Sequence, residues 1–158
     1  MSRPFPGVDV PLVSETRLMT QTWIEYFQGR TSGNYLTSSV LIGSSVALTS
    51  GAAKTITSLA LPFGDWDIDS HIYINPAATT SITNYQGSIS LVTNTMDLTP
   101  GNFFSSTINA TVSGGAPFSI VIPSTRFIGG VTVFLVAQAT FTVSTCSAYG
   151  TVQARRQD

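Results

Sequence analysis

Half of the chain's aspartates and its only histidine lie in one segment, "GDWDIDSHIYINP" at positions 64–76. Asp65, Asp67 and Asp69 could bind a cation, and Asp67 with His71 could act as a general base. Residues on one face of a strand repeat about every 6.6 Å, so Asp65 and Asp69 would lie about 13 Å apart. Because one ion could not bind both, we interpret the segment as the solvent-facing side of a β-strand.

The intervening positions of this segment are apolar, as expected for a half-buried strand. They are Trp66, Ile68, Ile72 and Ile74. The calcium-loop pattern fails, because Ser70 and Pro76 stand where a Gly and a Glu are required. Two alternatives stay open: a cation held where symmetry-related copies converge, and catalysis, for which no nucleophile motif is present. We therefore expect no catalytic site, no metal site, no cofactor and no enzymatic activity.

The composition is notable for its low charge. Charged residues make up 9% of the 158 residues, against roughly 25% in a typical soluble domain. Hydroxyl side chains, 20 Ser and 22 Thr, supply much of the polarity, and the net charge is −1. Such a surface repels copies of itself weakly, which favours a protein that packs into an assembly. The arginines are scattered apart from Arg155-Arg156, so nucleic-acid binding is not expected.

The single cysteine and the lengths of the apolar stretches limit where the protein is expected to be located. Cys146 is the only cysteine, so no intrachain disulfide can form, and we expect a buried free thiol. The opening "MSRPFPGVDVPLV" lacks the apolar stretch of a secretory signal. The longest strongly apolar stretch, "VTVFLVAQATF", is shorter than the ~20 residues of a membrane helix. We expect synthesis in a cytoplasm and no membrane partner.

Residues 1–30 are predicted to be an attachment segment. Its first part carries three prolines, which fix the backbone, remove hydrogen-bond donors and favour an extended conformation. Large apolar groups stand between them, whereas disordered tails are usually poor in such groups. We interpret this part as an arm that docks on another chain, with a disordered tail as the alternative. The residues predicted to dock are Pro4, Phe5, Pro6, Val8, Val10, Pro11 and Leu12.

Residues 20–28, "TQTWIEYFQ", are the one segment with a helical pattern. Thr22 and Glu25 fit a capping box, and Gly29 can end the helix. Trp23, Ile24 and Phe27 would share one apolar face. Two turns are not stable alone in water, so this face must pack on the domain or on a partner. We add these three residues to the predicted anchor.

After a predicted linker at 31–44, residues 45–158 show an all-β pattern. Short apolar stretches are separated by turn signals at Asn75-Pro76, Pro100-Gly101, Gly114-Gly115 and Gly129-Gly130. The predicted fold is an antiparallel β-sandwich or jelly roll of about eight strands, preceded by the extended arm and one short helix.

The stretch "VTVFLVAQATF" carries large apolar groups on both faces, which indicates burial on both sides. We predict that a neighbouring subunit covers its second face about a symmetry axis. The residues assigned to this subunit interface are Val131, Val133, Phe134, Leu135 and Val136. The alternative is a central strand covered by a loop or by the N-terminal helix.

Four aromatic residues offer a weaker signal. Tyr73, Tyr85, Phe103 and Phe104 could line a sugar-binding surface, but ordinary packing in the sheets and loops is the favoured interpretation.

The C-terminal sequence "TVFLVAQATFTVSTCSAYGTVQARR" resembles a signature of small virion proteins of tailed bacteriophages, T-V-Y-L-V-A-Q-A-T-F-T-V-S-T-x-x-A-Y-G-x-x-x-A-R-R. Phe134 replaces the usual Tyr. The segment "SLALPFGDWDIDSHIYINPAATTSITNYQGSIS" is similar to the upstream part of the same domain, so the resemblance covers roughly residues 45–158. The opening "PFPGVDVPLVSETRLMTQTWIEYFQ" resembles the N-terminal segment of phage head- and tail-associated fibre proteins.

The resemblance implies a trimeric β-sandwich on a virion-anchoring arm. The expected protein is a short fibre, spike or decoration protein, located in the virion and bound to a capsid, portal or neck protein. A receptor-binding module for a host-surface glycan is the alternative from a different class. An enzyme such as a glycan depolymerase would need paired carboxylates in a cleft. It ranks last, since Glu15 and Glu25 are the only glutamates.

Overall fold

The computed structural model describes residues 35–108 and 116–157. The arm and the short helix predicted within residues 1–30 lie outside these ranges. The described residues form nine strands: β1 Tyr35–Val40, β2 Val46–Ala47, β3 Lys54–Leu61, β4 Asp65–Pro76, β5 Ser81–Ser90, β6 Phe103–Thr107, β7 Phe118–Ile128, β8 Val131–Thr142 and β9 Cys146–Arg156. A 3-10 turn, Ile42–Ser44, separates β1 from β2. No helix in these ranges could span a membrane.

The strands form two antiparallel sheets. One has the order β1-β9-β4-β7, with β2 pairing β9 beyond the 3-10 turn, and the other has the order β3-β8-β5-β6. The pairing is nested along the chain: β1 and β2 pair with β9, β3 with β8, β4 with β7, and β5 with β6. With β1 and β2 taken as one interrupted strand, eight strands paired in this way form a jelly roll. The predicted fold class is confirmed.

The core lies between the two sheets and is built from alternate residues of each strand. On β4 the apolar residues point inward and are fully buried, while Asp65, Asp67, Asp69, His71 and Tyr73 take the outward positions. This is the predicted alternation. The fully buried large side chains of the core are Trp66, Ile68, Ile72, Ile74, Ile82, Ile89, Ile120, Ile122, Val133, Leu135 and Val152.

Two strands differ from their sequence prediction. The polar stretch Tyr35–Val40 lies inside the predicted linker, yet it forms β1, because all six of its residues pair with β9. Strand β7 runs through Pro123, whereas the sequence indicates two strands divided there. The register jumps from Ile68 opposite Thr125 to Ser70 opposite Ile122, so Pro123 lies in a bulge and needs no amide hydrogen.

Strand β9, the last strand, packs so closely against β4 at Gly150 that no side chain fits there. Gly150 pairs with Ile72 of β4 and with Val40 of β1. A Cβ atom at Gly150 would stand 2.3 Å from the carbonyl oxygen of His71 and 3.1 Å from the Cα atom of Ile72. Both are backbone atoms of a central strand, which cannot move without breaking the sheet. Glycine at this position is therefore required by the fold.

We predict that Gly150→Ala lowers the free energy of unfolding by about 1–3 kcal/mol, because the new methyl group overpacks the β4 backbone. Gly43→Ala is the matched control, since no heavy atom lies within 4 Å of the Cβ position there. Chemical denaturation of both variants measures the difference. Equal stability of the two variants would contradict the close approach of β9 to β4.

Candidate interaction surfaces

The outward side chains of β4 are held by ionic and polar contacts. The Nε atom of Arg126 donates to Oδ1 of Asp65 at 2.8 Å, and Nη2 of Arg126 contacts Oδ2 of the same carboxylate. This hydrogen bonding and the charge of Asp65 raise the pKa of Arg126. The Nε2 atom of Gln157 donates to Oδ2 of Asp67 at 2.6 Å. Within residues 35–108 and 116–157, no three His, Cys, Asp or Glu side chains are placed to hold a metal ion.

The only cysteine and the only histidine lie on opposite sides of the first sheet. Cys146 belongs to the buried core, whereas His71 points outward and is exposed. Burial raises the pKa of the Cys146 thiol to about 11, so the thiol is protonated at neutral pH. This confirms the expected buried free thiol. A thiol that is both protonated and separated from the imidazole does not form a nucleophile–base pair.

The charged side chains are concentrated at one end of the first sheet. Eight residues in the described ranges are Asp, Glu, Lys or Arg, and only Lys54 and Asp97 lie elsewhere. The other six are Asp65, Asp67, Asp69, Arg126, Arg155 and Arg156 on β4, β7 and β9. The pairing places Arg155, Asp67 and Arg126 in one row across three strands. The remaining outer surface of the domain carries hydroxyl, amide and apolar groups.

Two tyrosines stack on the two inner strands of the same outer face, toward the end that lies away from the charges. The rings of Tyr73 on β4 and Tyr149 on β9 lie 4.9 Å apart at an interplanar angle of 14°. The adjacent row contains Thr151, His71 and Val121, and the Val121 side chain is 52% exposed. Of these groups, the two tyrosines belong to the residue types that are enriched in protein interfaces.

The four aromatic residues considered for sugar binding do not share a surface. Tyr73 lies on the outer face of the first sheet. Tyr85 and Phe104 pack against the core, where Tyr85 also stacks on Phe118 at a centroid distance of 5.0 Å. Phe103 pairs with Ser88 on the outer face of the second sheet. The packing interpretation therefore fits Tyr85 and Phe104.

Three of the five residues predicted to form the subunit interface on β8 are buried within the chain itself. Val133 and Leu135 point into the sandwich, and Val136 is buried although it faces the other side. Val131 packs against the core and Phe134 is half-buried. The ten predicted anchor residues, between positions 4 and 27, lie outside the described ranges.

A loop covers the outer side of β8 at Val136. Residues 91–102 connect β5 to β6, and they are tied to Thr55 and Ser88, the two cross-strand neighbours of Val136. The backbone N–H of Thr55 donates to Oδ1 of Asn94, and the N–H of Asn94 donates to Oγ1 of Thr55, both at 2.8 Å. On the other side, Oγ of Ser88 accepts from the N–H of Asp97 at 3.2 Å. The sequence left two explanations for the apolar second face of β8, a subunit interface and a covering loop. At Val136 the structure has the loop.

The loop is also stabilised within itself by Asp97. The backbone N–H of Thr99 and the side-chain amide of Asn102 each donate to its carboxylate at 2.9 Å. Hydrogen bonding from Thr99, with a smaller contribution from Asn102, lowers the pKa of Asp97. The loop is thus a fixed cover over the sheet.

We predict that removing the buried hydroxyl groups of Ser88 and Ser70 changes the free energy of unfolding in different ways. Ser88→Ala should lower the free energy of unfolding by about 1 kcal/mol or more, because the N–H of Asp97 loses its acceptor. Ser70 is equally buried, but its Oγ atom has no hydrogen-bond partner. Ser70→Ala should therefore leave stability unchanged or raise it by up to about 1 kcal/mol. Denaturation curves test the pair, and a destabilisation by Ser70→Ala alone would contradict these assignments.

Comparison with known proteins gives similarities of fold only. No protein-family model and no curated protein sequence matches the chain. A structure of infectious bursal disease virus, Gx strain, is similar over 76% of this chain and 31% of its own, with a TM-score of 0.43 and 9% identity. The crystal structure of the VP2 subviral particle of that virus is similar over 99% of this chain and 38% of its own, with a TM-score of 0.37 and 12% identity. This chain spans about a third of the length of both.

Proposed function

We propose that this chain is a structural protein of a bacteriophage virion: a short trimeric fibre, spike or decoration protein. Its N-terminal arm would bind a capsid, portal or neck protein, and its jelly roll would project from the particle. The proposal is supported by the resemblance to small virion proteins, by the low charge of the domain, and by the position of the two ends of the domain.

The part of the sequence that carries the resemblance forms the central strands of the fold. Strand β8 lies between β3 and β5, and β9 lies between β1 and β4. The small residues of this segment are fully buried or closely packed: Ala137, Ala139, Ala148, Gly150 and Ala154. The resemblance therefore supports a shared fold. Recognition of a partner must depend on other residues, in the arm and on the outer faces.

The observation that carries the proposal is that both ends of the domain lie together. Tyr35, where β1 begins, pairs with Arg155, next to the last residue of β9. Three loops, at 48–53, 77–80 and 143–145, lie at the opposite end, joined by hydrogen bonds from Leu48 and Ala77 to Cys146 and Thr145. Strand β4 has 12 residues, which corresponds to a length of ~40 Å. An arm attached near Tyr35 would hold these loops away from the particle.

The energy of attachment would come from the apolar side chains of the arm. Burial of one large apolar side chain stabilises a complex by about 1.5–3 kcal/mol before the cost of ordering the segment. The predicted arm and helix contain seven such residues: Phe5, Val8, Val10, Leu12, Trp23, Ile24 and Phe27. In a trimer, three arms would add through effective concentration, so modest affinity per arm suffices for stable attachment.

A receptor-binding module whose loops bind a host glycan is the second candidate from the sequence, and the two roles can coexist in one protein. The four aromatic residues considered for sugar binding do not form one exposed surface, because Tyr85 and Phe104 pack against the core. Sugar-binding surfaces depend on aromatic faces presented together with hydrogen-bonding groups. The structural role is therefore the function that we propose.

We predict that an intact arm is required for attachment. Replacing Phe5, Val8, Val10 and Leu12 together by Ser in the full chain should weaken binding to particles that lack this protein by at least about 100-fold, because the buried apolar area is lost. Co-sedimentation of purified protein with the particles measures binding. Arg3→Ser with Asp9→Ser in the same segment is the matched control and should bind normally. Unchanged binding by the fourfold variant, with an unchanged thermal melt, would contradict the proposal.

A further inference from the structure

We propose that the outer face of the five-stranded sheet is the surface through which copies of this chain associate. We call it the tyrosine face, and define it by Tyr73, Tyr149, His71, Thr151 and Val121. The β1–β9 half of one copy would contact the β4–β7 half of the next. This inference rests on the proposed function, in which copies of the chain form a trimer. It places the contact between copies on the first sheet and not on β8.

The centre of the tyrosine face has the residue types of an interface. Tyrosine is enriched among residues that dominate binding energy, because it offers a large rigid surface with one polar group. The Tyr73–Tyr149 stack is already ordered in the single chain. Little side-chain entropy would be lost on association, which lowers the cost of binding.

Exposed aliphatic groups extend this centre to both edges of the sheet. Leu41 is 72% exposed and Ile42 is 58% exposed. They stand at the 3-10 turn between Val40, which pairs with Gly150, and Val46, which pairs with Ala148, so the turn lies opposite Tyr149. Val121 lies on the other side, on the edge strand β7. Apolar groups thus follow a line across the sheet.

The charges at the end of the tyrosine face differ between its two halves. Arg155 on β9 and Asp69 on β4 are exposed, and Arg155 lies beside Asp67 of β4 in the sheet. Arg126 is engaged by Asp65. Strand β9 is therefore positive at this end and β4 is negative. Contact between unlike halves, as occurs around a rotation axis higher than twofold, would bring opposite charges together.

The area of the face is divided between two contacts. Four strands spaced at ~4.8 Å and ~40 Å long cover ~760 Å² in projection, so each half offers ~380 Å² to one neighbour. A partner in a standard-size interface contributes ~800 Å². Each contact is therefore smaller than a standard interface, and the two contacts of one copy together use about one standard area.

The outer face of the second sheet has no comparable stack of tyrosine rings among the described residues. Residues 91–102 cover part of it, and Phe103 also lies on this face. Its other side chains include the uncharged amides and hydroxyls of Asn84, Gln86, Gln138, Thr140, Ser105 and Thr107. The charged residues of this sheet and its covering loop are Lys54 on β3 and Asp97 in the loop. This face serves as the control surface.

The test is the oligomeric state of the full-length chain. Thr151 and Thr140 each point outward from a central strand, one on the tyrosine face and the other on the control surface. Sedimentation velocity over roughly 1–100 µM protein reports association by mass action. We expect the wild type and Thr140→Arg to associate, and Thr151→Arg to associate at least about 100-fold more weakly. Val121→Arg, on an exposed edge position, should act in the same way as Thr151→Arg.

Each other outcome overturns the inference. If Thr151→Arg and Val121→Arg associate as the wild type does, copies meet through a different surface, and the trimeric virion protein of the proposed function still stands. If Thr140→Arg dissociates the assembly as strongly, the tyrosine face is not the specific contact. If the wild type is monomeric throughout, the face binds no second copy. The arm's attachment to particles is decided separately by the co-sedimentation assay.

Discussion

The return of the last strand into the first sheet is the constraint on which the rest of the structure depends. Strand β9 must fit between β1 and β4, and at Gly150 the backbones approach so closely that a Cβ atom would meet the carbonyl oxygen of His71. That close fit pairs the start of the described domain with its end, at Tyr35 and Arg155. The same pairing aligns β4 and β9 along their full lengths, so that Tyr73 and Tyr149 stack. The position of Tyr35, where the predicted arm would join the domain, and the form of the outer face both follow from it.

The two sheets use their outer faces differently. The second sheet is covered where it is most apolar, by a loop that Thr55, Ser88 and Asp97 hold in place. The first sheet leaves its outer face open and carries there most of the charge of the domain. In the proposed contact between copies, this concentration of charge at one end would fix an orientation that apolar groups alone would leave unspecified.

Strands and turns could be predicted from the sequence where neighbouring residues in the chain determine them. The period-two pattern from Trp66 to Ile74 identified the buried side of β4, and Gly129-Gly130 marks the turn between β7 and β8. The alternation of apolar and polar residues did not identify β1, because its residues are mostly polar. This strand forms because β9 lies beside it and pairs with it. The sequence pattern also failed at Pro123, since a bulge that accommodates proline is specified by the partner strand.

Contacts between distant segments could not be predicted in this way. The apolar stretch of β8 is buried on both sides at Leu135 and Val136. The choice between a neighbouring copy and a loop as the cover of Val136 depends on contacts such as Asn94–Thr55, which have no local sequence pattern. The tyrosine stack likewise joins residues from β4 and β9 that only the completed sheet brings together. The candidate interaction surfaces of this protein therefore depend on how the strands are paired in the sheets, and short sequence motifs do not reveal them.

The central claim is that copies of this domain complete one another on a viral particle. A cryo-EM map of intact particles that carry the protein tests it most directly, since the map shows location, copy number and symmetry together. The account predicts copies related by a threefold axis, with the Tyr73–Tyr149 faces turned toward that axis and residues 1–28 in contact with the particle. Isolated copies whose tyrosine faces are open to solvent would contradict it.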